Sequence, residues 1–67
     1  MDKRIELLLN AINDDYGYER LTVDTDHDGW FELWDCTYST CAITEGYDIH
    51  MIARLELIAK ENGVYCD

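Results

Sequence analysis

The stretch Arg20-Leu21-Thr22-Val23-Asp24-Thr25-Asp26-His27-Asp28-Gly29-Trp30-Phe31-Glu32-Leu33-Trp34-Asp35 decides the fold. Leu21 and Val23 alternate with Arg20, Thr22 and Asp24, and Phe31 and Leu33 alternate with Trp30, Glu32 and Trp34. Side chains on a strand point to opposite faces in turn, so a period of two predicts two strands, each buried on one face. Between them stands Asp26-His27-Asp28-Gly29. Asp and Gly suit a tight turn, and Gly29 suits the left-handed position of a bulged hairpin. The stretch therefore reads as a β-hairpin.

Upstream, Ile5, Leu8, Leu9 and Ile12 fall on one helical face between Asp2 and Asn13, with Asp2 placed as the N-cap. Asn13-Asp14-Asp15-Tyr16-Gly17 is turn-prone and predicts the end of this helix. Downstream, Tyr38 to Thr44 is rich in Thr, Tyr and Ile and predicts a third strand. A second helix follows. Asp48 is its expected N-cap, Tyr47 and Ile52 its hydrophobic staple, and Asn62-Gly63 its stop. Its expected buried face is Ile49, Ile52, Leu55, Ile58 and Ala59, with Glu56 and Lys60 as an i, i+4 ion pair. The expected fold is a single α+β domain over residues 1–67, a small two-layer sandwich in helix, three-stranded antiparallel sheet, helix order. That order resembles the double-stranded-RNA-binding domain over nearly the whole chain. The basic contacts that such a domain makes to RNA have no counterpart here, so the resemblance implies a fold and not a function.

Composition narrows the function classes. Fifteen acidic residues against five basic give a net charge of −10 on 67 residues, a field that repels nucleic acid and anionic membrane and attracts basic protein surfaces. A hydrophobic share of 48% is more than an acidic disordered tail carries, so the charge sits on a folded domain. No apolar run approaches a bilayer-spanning length, and the start Met1-Asp2-Lys3-Arg4 leads into an amphipathic segment, so the chain is expected in the cytoplasm. Cys36, Cys41 and Cys66 cannot all pair within one chain, and reduced thiols fit that compartment.

The charge is unevenly placed. Residues 1–13 and 49–66 each balance two acids against two bases. In 14–48, Asp14, Asp15, Glu19, Asp24, Asp26, Asp28, Glu32, Asp35, Glu45 and Asp48 face Arg20 alone, so this segment carries −9 of the −10. If Leu21, Val23, Phe31 and Leu33 point into the helices, Trp30, Glu32, Trp34 and Tyr38 occupy the opposite face with no layer to cover them. Aromatics are the usual anchors of protein interfaces, and carboxylates around them steer a basic partner. The expected partner-binding residues are Asp14, Asp15, Glu19, Asp24, Asp26, Asp28, Trp30, Glu32, Trp34, Asp35, Tyr38 and Glu45. The alternative to a binding face is that Trp30 and Trp34 lie under the C-terminal segment Val64-Tyr65 or cover the seam of a homodimer.

In size, acidity, lack of proline and aromatics among carboxylates, the chain resembles the phage-encoded inhibitors of bacterial defence nucleases, the anti-CRISPR and antirestriction proteins. What that resemblance implies is DNA mimicry. Surface carboxylates would stand in for phosphates in the basic groove of a nucleic-acid-binding protein or defence complex, with no direct nucleic-acid binding and no cofactor.

One stretch spells known metal chemistry. Asp24-Thr25-Asp26-His27-Asp28-Gly29 matches the start of an EF-hand calcium loop, with Glu32 and Asp35 at its ninth and twelfth positions. The residues before it do not form the incoming helix of an EF-hand, and Asp and Gly are common in plain hairpin turns. A calcium-binding module using Asp24, Asp26, Asp28 and Asp35 is thus a second reading, and a structural or regulatory subunit of a homo-oligomer a third. His27, His50 and the three cysteines lack zinc-site spacing, and no phosphate loop or nucleophile motif points to an enzyme.

Overall fold

The computed structural model of the chain describes residues 2–26, 28–38 and 40–64, arranged as α1 (Lys3–Tyr16), β1 (Leu21–Thr25), β2 (Phe31–Asp35), β3 (Thr44–Gly46) and α2 (Asp48–Glu61). The strands form one antiparallel sheet in the order β1-β2-β3, so the α+β class and the helix, sheet, helix order stand as expected. Both helices pack on one sheet face. Ile5, Leu8 and Ile12 of α1, Leu21, Phe31 and Leu33 of the sheet, and Met51, Leu55 and Ala59 of α2 form a single buried cluster.

α1 begins where expected. The Asp2 carboxylate accepts from the backbone N–H groups of Arg4 at 2.8 Å and Ile5 at 3.4 Å, which satisfies two of the donors that a helix start leaves open. Its end comes later than Asn13. The helix runs through Asp14 and Asp15 to Tyr16 and stops at Gly17, which takes a left-handed φ of 83° and donates to the carbonyls of Asn13 and Asp14. Asn13 is therefore free to serve another element. Its side-chain amide donates to the Leu21 carbonyl and its side-chain oxygen accepts from the Leu21 N–H, both at 2.9 Å, clamping α1 to the start of β1.

The hairpin pairs in one register from Leu21 opposite Asp35 to Thr25 opposite Phe31. Asp26 closes its turn, its carboxylate accepting from the N–H groups of Asp28 at 2.9 Å and Trp30 at 3.0 Å, while Gly29 holds φ 79°. His27 lies outside the described residues.

Five expectations are corrected. The third strand is Thr44–Gly46, not Tyr38 to Thr44: Tyr38 bridges back to Asp35 in a tight turn that reverses the chain, and the chain rejoins β2 where the Ile43 N–H donates to the Leu33 carbonyl at 2.7 Å. Residues favourable to strands were overridden by the turn, which had to bring the chain back alongside Leu33. The N-cap of α2 is Tyr47, one residue before Asp48, and the His50 side chain accepts from the Tyr47 N–H at 3.2 Å. Tyr47 is no staple for Ile52, because its ring stands edge-on to Trp30 with centroids 5.3 Å apart. Finally, α2 buries Met51, Leu55 and Ala59, with Ile52 and Ile58 partly buried, and leaves Ile49 67% exposed. Apolar residues lie on both sides of α2 at its first turn, so the pattern alone does not decide whether Ile49 or Met51 is buried. Glu56 and Lys60 do not close into a salt bridge among the described residues; that between Arg20 and Asp35 does.

The helices run side by side in the same direction. Asp2 and Asp48, at the two helix starts, line one recess with Thr25, Gly29, Phe31 and Tyr47, and at the far ends the Asn62 amide donates to the Tyr16 hydroxyl at 3.0 Å. Both positive helix ends thus lie beside the acidic hairpin tip, which is the favourable sense of the macrodipole.

Candidate functional site: the open face of the sheet

Strand alternation separates two faces. Leu21, Phe31 and Leu33 face the helices, as does Asp35, while Thr22, Asp24, Glu32, Trp34 and Glu45 take the outer positions. The register decides what this outer face presents. Asp24 stands opposite Glu32, and Glu32 opposite Glu45, so three carboxylates from three strands form one straight row across the sheet. Neighbouring strands lie about 4.8 Å apart, which spreads the row over roughly 10 Å. Trp30 and Trp34 lie two residues to either side of Glu32, so the row is flanked by indoles.

Like charges placed directly opposite each other on a sheet work against folding. A fold selected for stability alone would not set two such pairs side by side. Replacing Glu32, the central member, by Gln is therefore expected to raise the unfolding free energy by about 0.5 kcal/mol at low salt, and by less as salt screens the row. Urea unfolding of the wild type and Glu32→Gln at two ionic strengths reads both effects.

Of the carboxylates expected at a binding surface, Asp14, Asp15, Glu19, Asp24, Asp26, Asp28 and Glu45 are exposed and Glu32 is half-buried. They do not make one stripe. Asp14, Asp15 and Glu19 lie at the end of α1, Asp26 and Asp28 at the hairpin tip, and the row of three between them. Asp35 does not belong to the surface at all. It is 7% exposed, on the helix side of the sheet, and receives Arg20 Nε at 3.2 Å on both oxygens, the Thr37 N–H at 2.9 Å and the Thr37 hydroxyl at 2.6 Å. Arg20 Nη2 completes a salt bridge at 3.2 Å, and the guanidinium lies over the Tyr16 ring, 4.6 Å from its centroid. The one cation of segment 14–48 is thereby spent on the one inward acid, and the other nine acids of the segment keep no basic neighbour within it.

Burial of the Asp35 carboxyl opposes its ionisation, but the hydrogen bonds from Arg20 and Thr37 and the Arg20 charge outweigh it, so Asp35 titrates below the usual carboxylate range. A carboxyl whose folded-state value is lowered stabilises the fold fully above its unfolded value of about 3.9 and loses that contribution as pH falls through the folded value. Acid unfolding of the wild type is expected to steepen below about pH 4, and Asp35→Asn should flatten that limb. Unfolding followed by circular dichroism against pH tests the difference.

The same placement breaks the calcium spelling. Asp24 is on the outer face opposite Glu32, whereas Asp35 is on the inner face opposite Leu21, at the far end of the hairpin and held by Arg20. Asp26 is engaged by the backbone of its own turn. Among the described residues no three His, Cys, Asp or Glu side chains gather as a metal-holding group. The hairpin conformation thus takes apart a ligand order that a calcium loop would have wrapped around one point.

The aromatic residues are also dispersed. Trp30 is 37% exposed and pairs with Tyr47; Trp34 is half-buried, its indole N–H enclosed without an acceptor among the described residues; Tyr38, 68% exposed, sits beyond the end of β2. Trp30 and Trp34 are four residues apart along a strand, about 13 Å, so they frame the carboxylate row without forming a continuous aromatic patch. Val64 packs on the core, while Tyr65, Cys66 and Asp67 lie outside the described residues. Cys36 and Cys41 are exposed and unpaired with each other. Tyr47, expected to pack as a helix staple, is instead a surface aromatic beside Trp30; its position two residues beyond Glu45 is the signal in the sequence.

No described helix is long and apolar enough to cross a membrane. No family model, curated protein or solved structure matches the chain.

Proposed function

We propose that this protein is a non-enzymatic inhibitor whose carboxylates occupy the basic, nucleic-acid-binding surface of another protein, in the manner of the DNA mimics that phages direct against bacterial defence complexes. The row Asp24, Glu32, Glu45 carries the proposal, because it places like charges in register on an open sheet face at a cost to stability. Its spacing, one charge per about 4.8 Å across the strands, is comparable with the one charge per about 3.4 Å along a single nucleic-acid strand. Asp26 and Asp28 at the hairpin tip lie beyond the row at one end of the strands, and Asp14, Asp15 and Glu19 form a second cluster toward the opposite end of β1. Trp30 and Trp34 beside the row supply contacts that phosphate lacks, which would make the binding selective for one partner. Such a protein would work in the cytoplasm of the host cell and would need no cofactor.

Affinity capture from a bacterial lysate tests this reading, with the protein immobilised and bound material eluted by duplex DNA or by salt. The expected catch is a basic nucleic-acid-binding protein that DNA releases and that about 0.5 M salt releases as well. Capture through Glu32→Gln or Glu45→Gln should be weaker, although Glu32→Gln is expected to be the more stable protein. A partner that DNA does not displace would rule out mimicry.

A further inference from the structure

We propose that the exposed side of α2 is a self-association surface, joining a second copy of this chain through an antiparallel contact of the two α2 helices with its two-fold axis near Leu57. Ile49, Ala53 and Leu57 recur at every fourth residue, on the side of α2 away from the buried Met51, Leu55 and Ala59. Ile49 is 67% and Leu57 49% exposed, and no other described element covers this stripe. Ala53 at its middle lets a second helix approach closely. Ala53, Arg54 and Leu57 also line, with Thr44, Glu45 and His50, a shallow recess of about 370 Å³ beside β3, which gives the second copy's side chains somewhere to pack.

Charge selects the occupant. A chain of net −10 repels its own copies over most of its surface, and a basic partner is drawn to the carboxylate segment rather than to α2. The exposed side of α2 is the exception, because Arg54, Glu56, Lys60 and Glu61 balance there. Their order is self-complementary. With two helices antiparallel about Leu57, Arg54 of one meets Glu61 of the other on one flank, and Glu56 meets Lys60 on the opposite flank, each pair occurring twice. Ile49, two turns from the axis, packs at the outer end of the contact. Arg54 and Glu61 are seven residues apart, roughly 10 Å along one helix, so within one copy they do not pair. The contact lies along the β3-facing flank of α2, next to Glu45, and leaves Asp24 and Glu32 of the carboxylate row open.

The surface touches the carboxylate row only at Glu45, does not rest on the proposed inhibitor function, and responds to salt in the opposite sense. Sedimentation equilibrium of the full chain, up to about 0.5 mM protein, is expected to show a monomer–dimer equilibrium that tightens from about 50 to 500 mM NaCl as the −10 against −10 repulsion is screened. Binding of a basic partner would instead weaken over that range. Leu57→Lys, at an exposed position that leaves the core intact, should raise the dimer dissociation constant about tenfold or more with an unchanged circular dichroism spectrum. Arg54→Glu should also weaken the dimer, and the double variant Arg54→Glu with Glu61→Arg should restore it to within about threefold. A monomer at every concentration and salt, a dimer indifferent to Leu57→Lys, or a charge swap that fails to rescue would each overturn the proposal.

Discussion

Leu33→Ala is expected to unfold most of the protein at room temperature. Leu33 is fully buried at the centre of the middle strand, between Val23 of β1 and Thr44 of β3, and it belongs to the one cluster that joins both helices to the sheet. Truncating a buried leucine removes its transfer free energy and leaves a cavity, together costing about 2–5 kcal/mol. A domain of this size has roughly 3–10 kcal/mol of stability in all, and here part of that is given up to like-charge repulsion. Leu33 has no slack around it: sheet neighbours hold it on both sides and helices lie above, so the upper part of the range applies. Loss of the cooperative thermal transition, or its fall by about 15 °C or more, is the expected reading; a change under about 5 °C would show that the core collapses around the gap.

The second large effect belongs to a polar residue. Asn13→Ala is expected to cost about 2–3 kcal/mol, because Leu21 is buried and its N–H and C=O both depend on the Asn13 side chain. Removing the amide leaves a donor and an acceptor without partners at the edge of the sheet, where no further strand can supply them. Asn13→Asp separates the two bonds. A carboxylate still accepts from the Leu21 N–H but faces the Leu21 carbonyl with like polarity, so this variant should be no more stable than the alanine one. Urea midpoints for the three proteins measure it, and equal midpoints for wild type and Asn13→Ala would remove the clamp from the account.

These two residues show how unevenly the fold was written in the sequence. Leu33 was legible from alternation alone, because a half-buried strand needs an apolar residue at every second position whatever surrounds it. Asn13 was not. Its residue type marks a turn, and as the expected end of α1 it had a sufficient local reason to be there, but its bonds go to a residue eight positions away. Ile49 and Met51 fall between these cases. Both are apolar at the start of α2, and the choice of which one is buried depends on how the helix rolls against the sheet and α1, not on local pattern.

The candidate site divides in the same way. That segment 14–48 carries nine surplus negative charges follows from its residues and needs no structure. Its form does, since carboxylates 8 and 13 positions apart in sequence become neighbours only through strand register. Asp24, Glu32 and Glu45 are in one row because the hairpin turn and the return of β3 set them opposite one another. Asp35 left the surface for the same reason, its parity on β2 placing it on the helix side with Arg20.

By itself, the sequence determined the helical period of α1 and α2, the period of two in β1 and β2, the cap at Asp2, the hairpin turn, and the sign and segment of the charge. These follow from interactions within a few residues, which a linear reading contains. The tertiary structure decided the extent of β3, the buried side of α2, the clamp by Asn13, the withdrawal of Asp35 and the alignment of three carboxylates across the sheet. Each of those is set by which distant residues come to lie opposite one another, and that is a consequence of packing the whole chain around one small core.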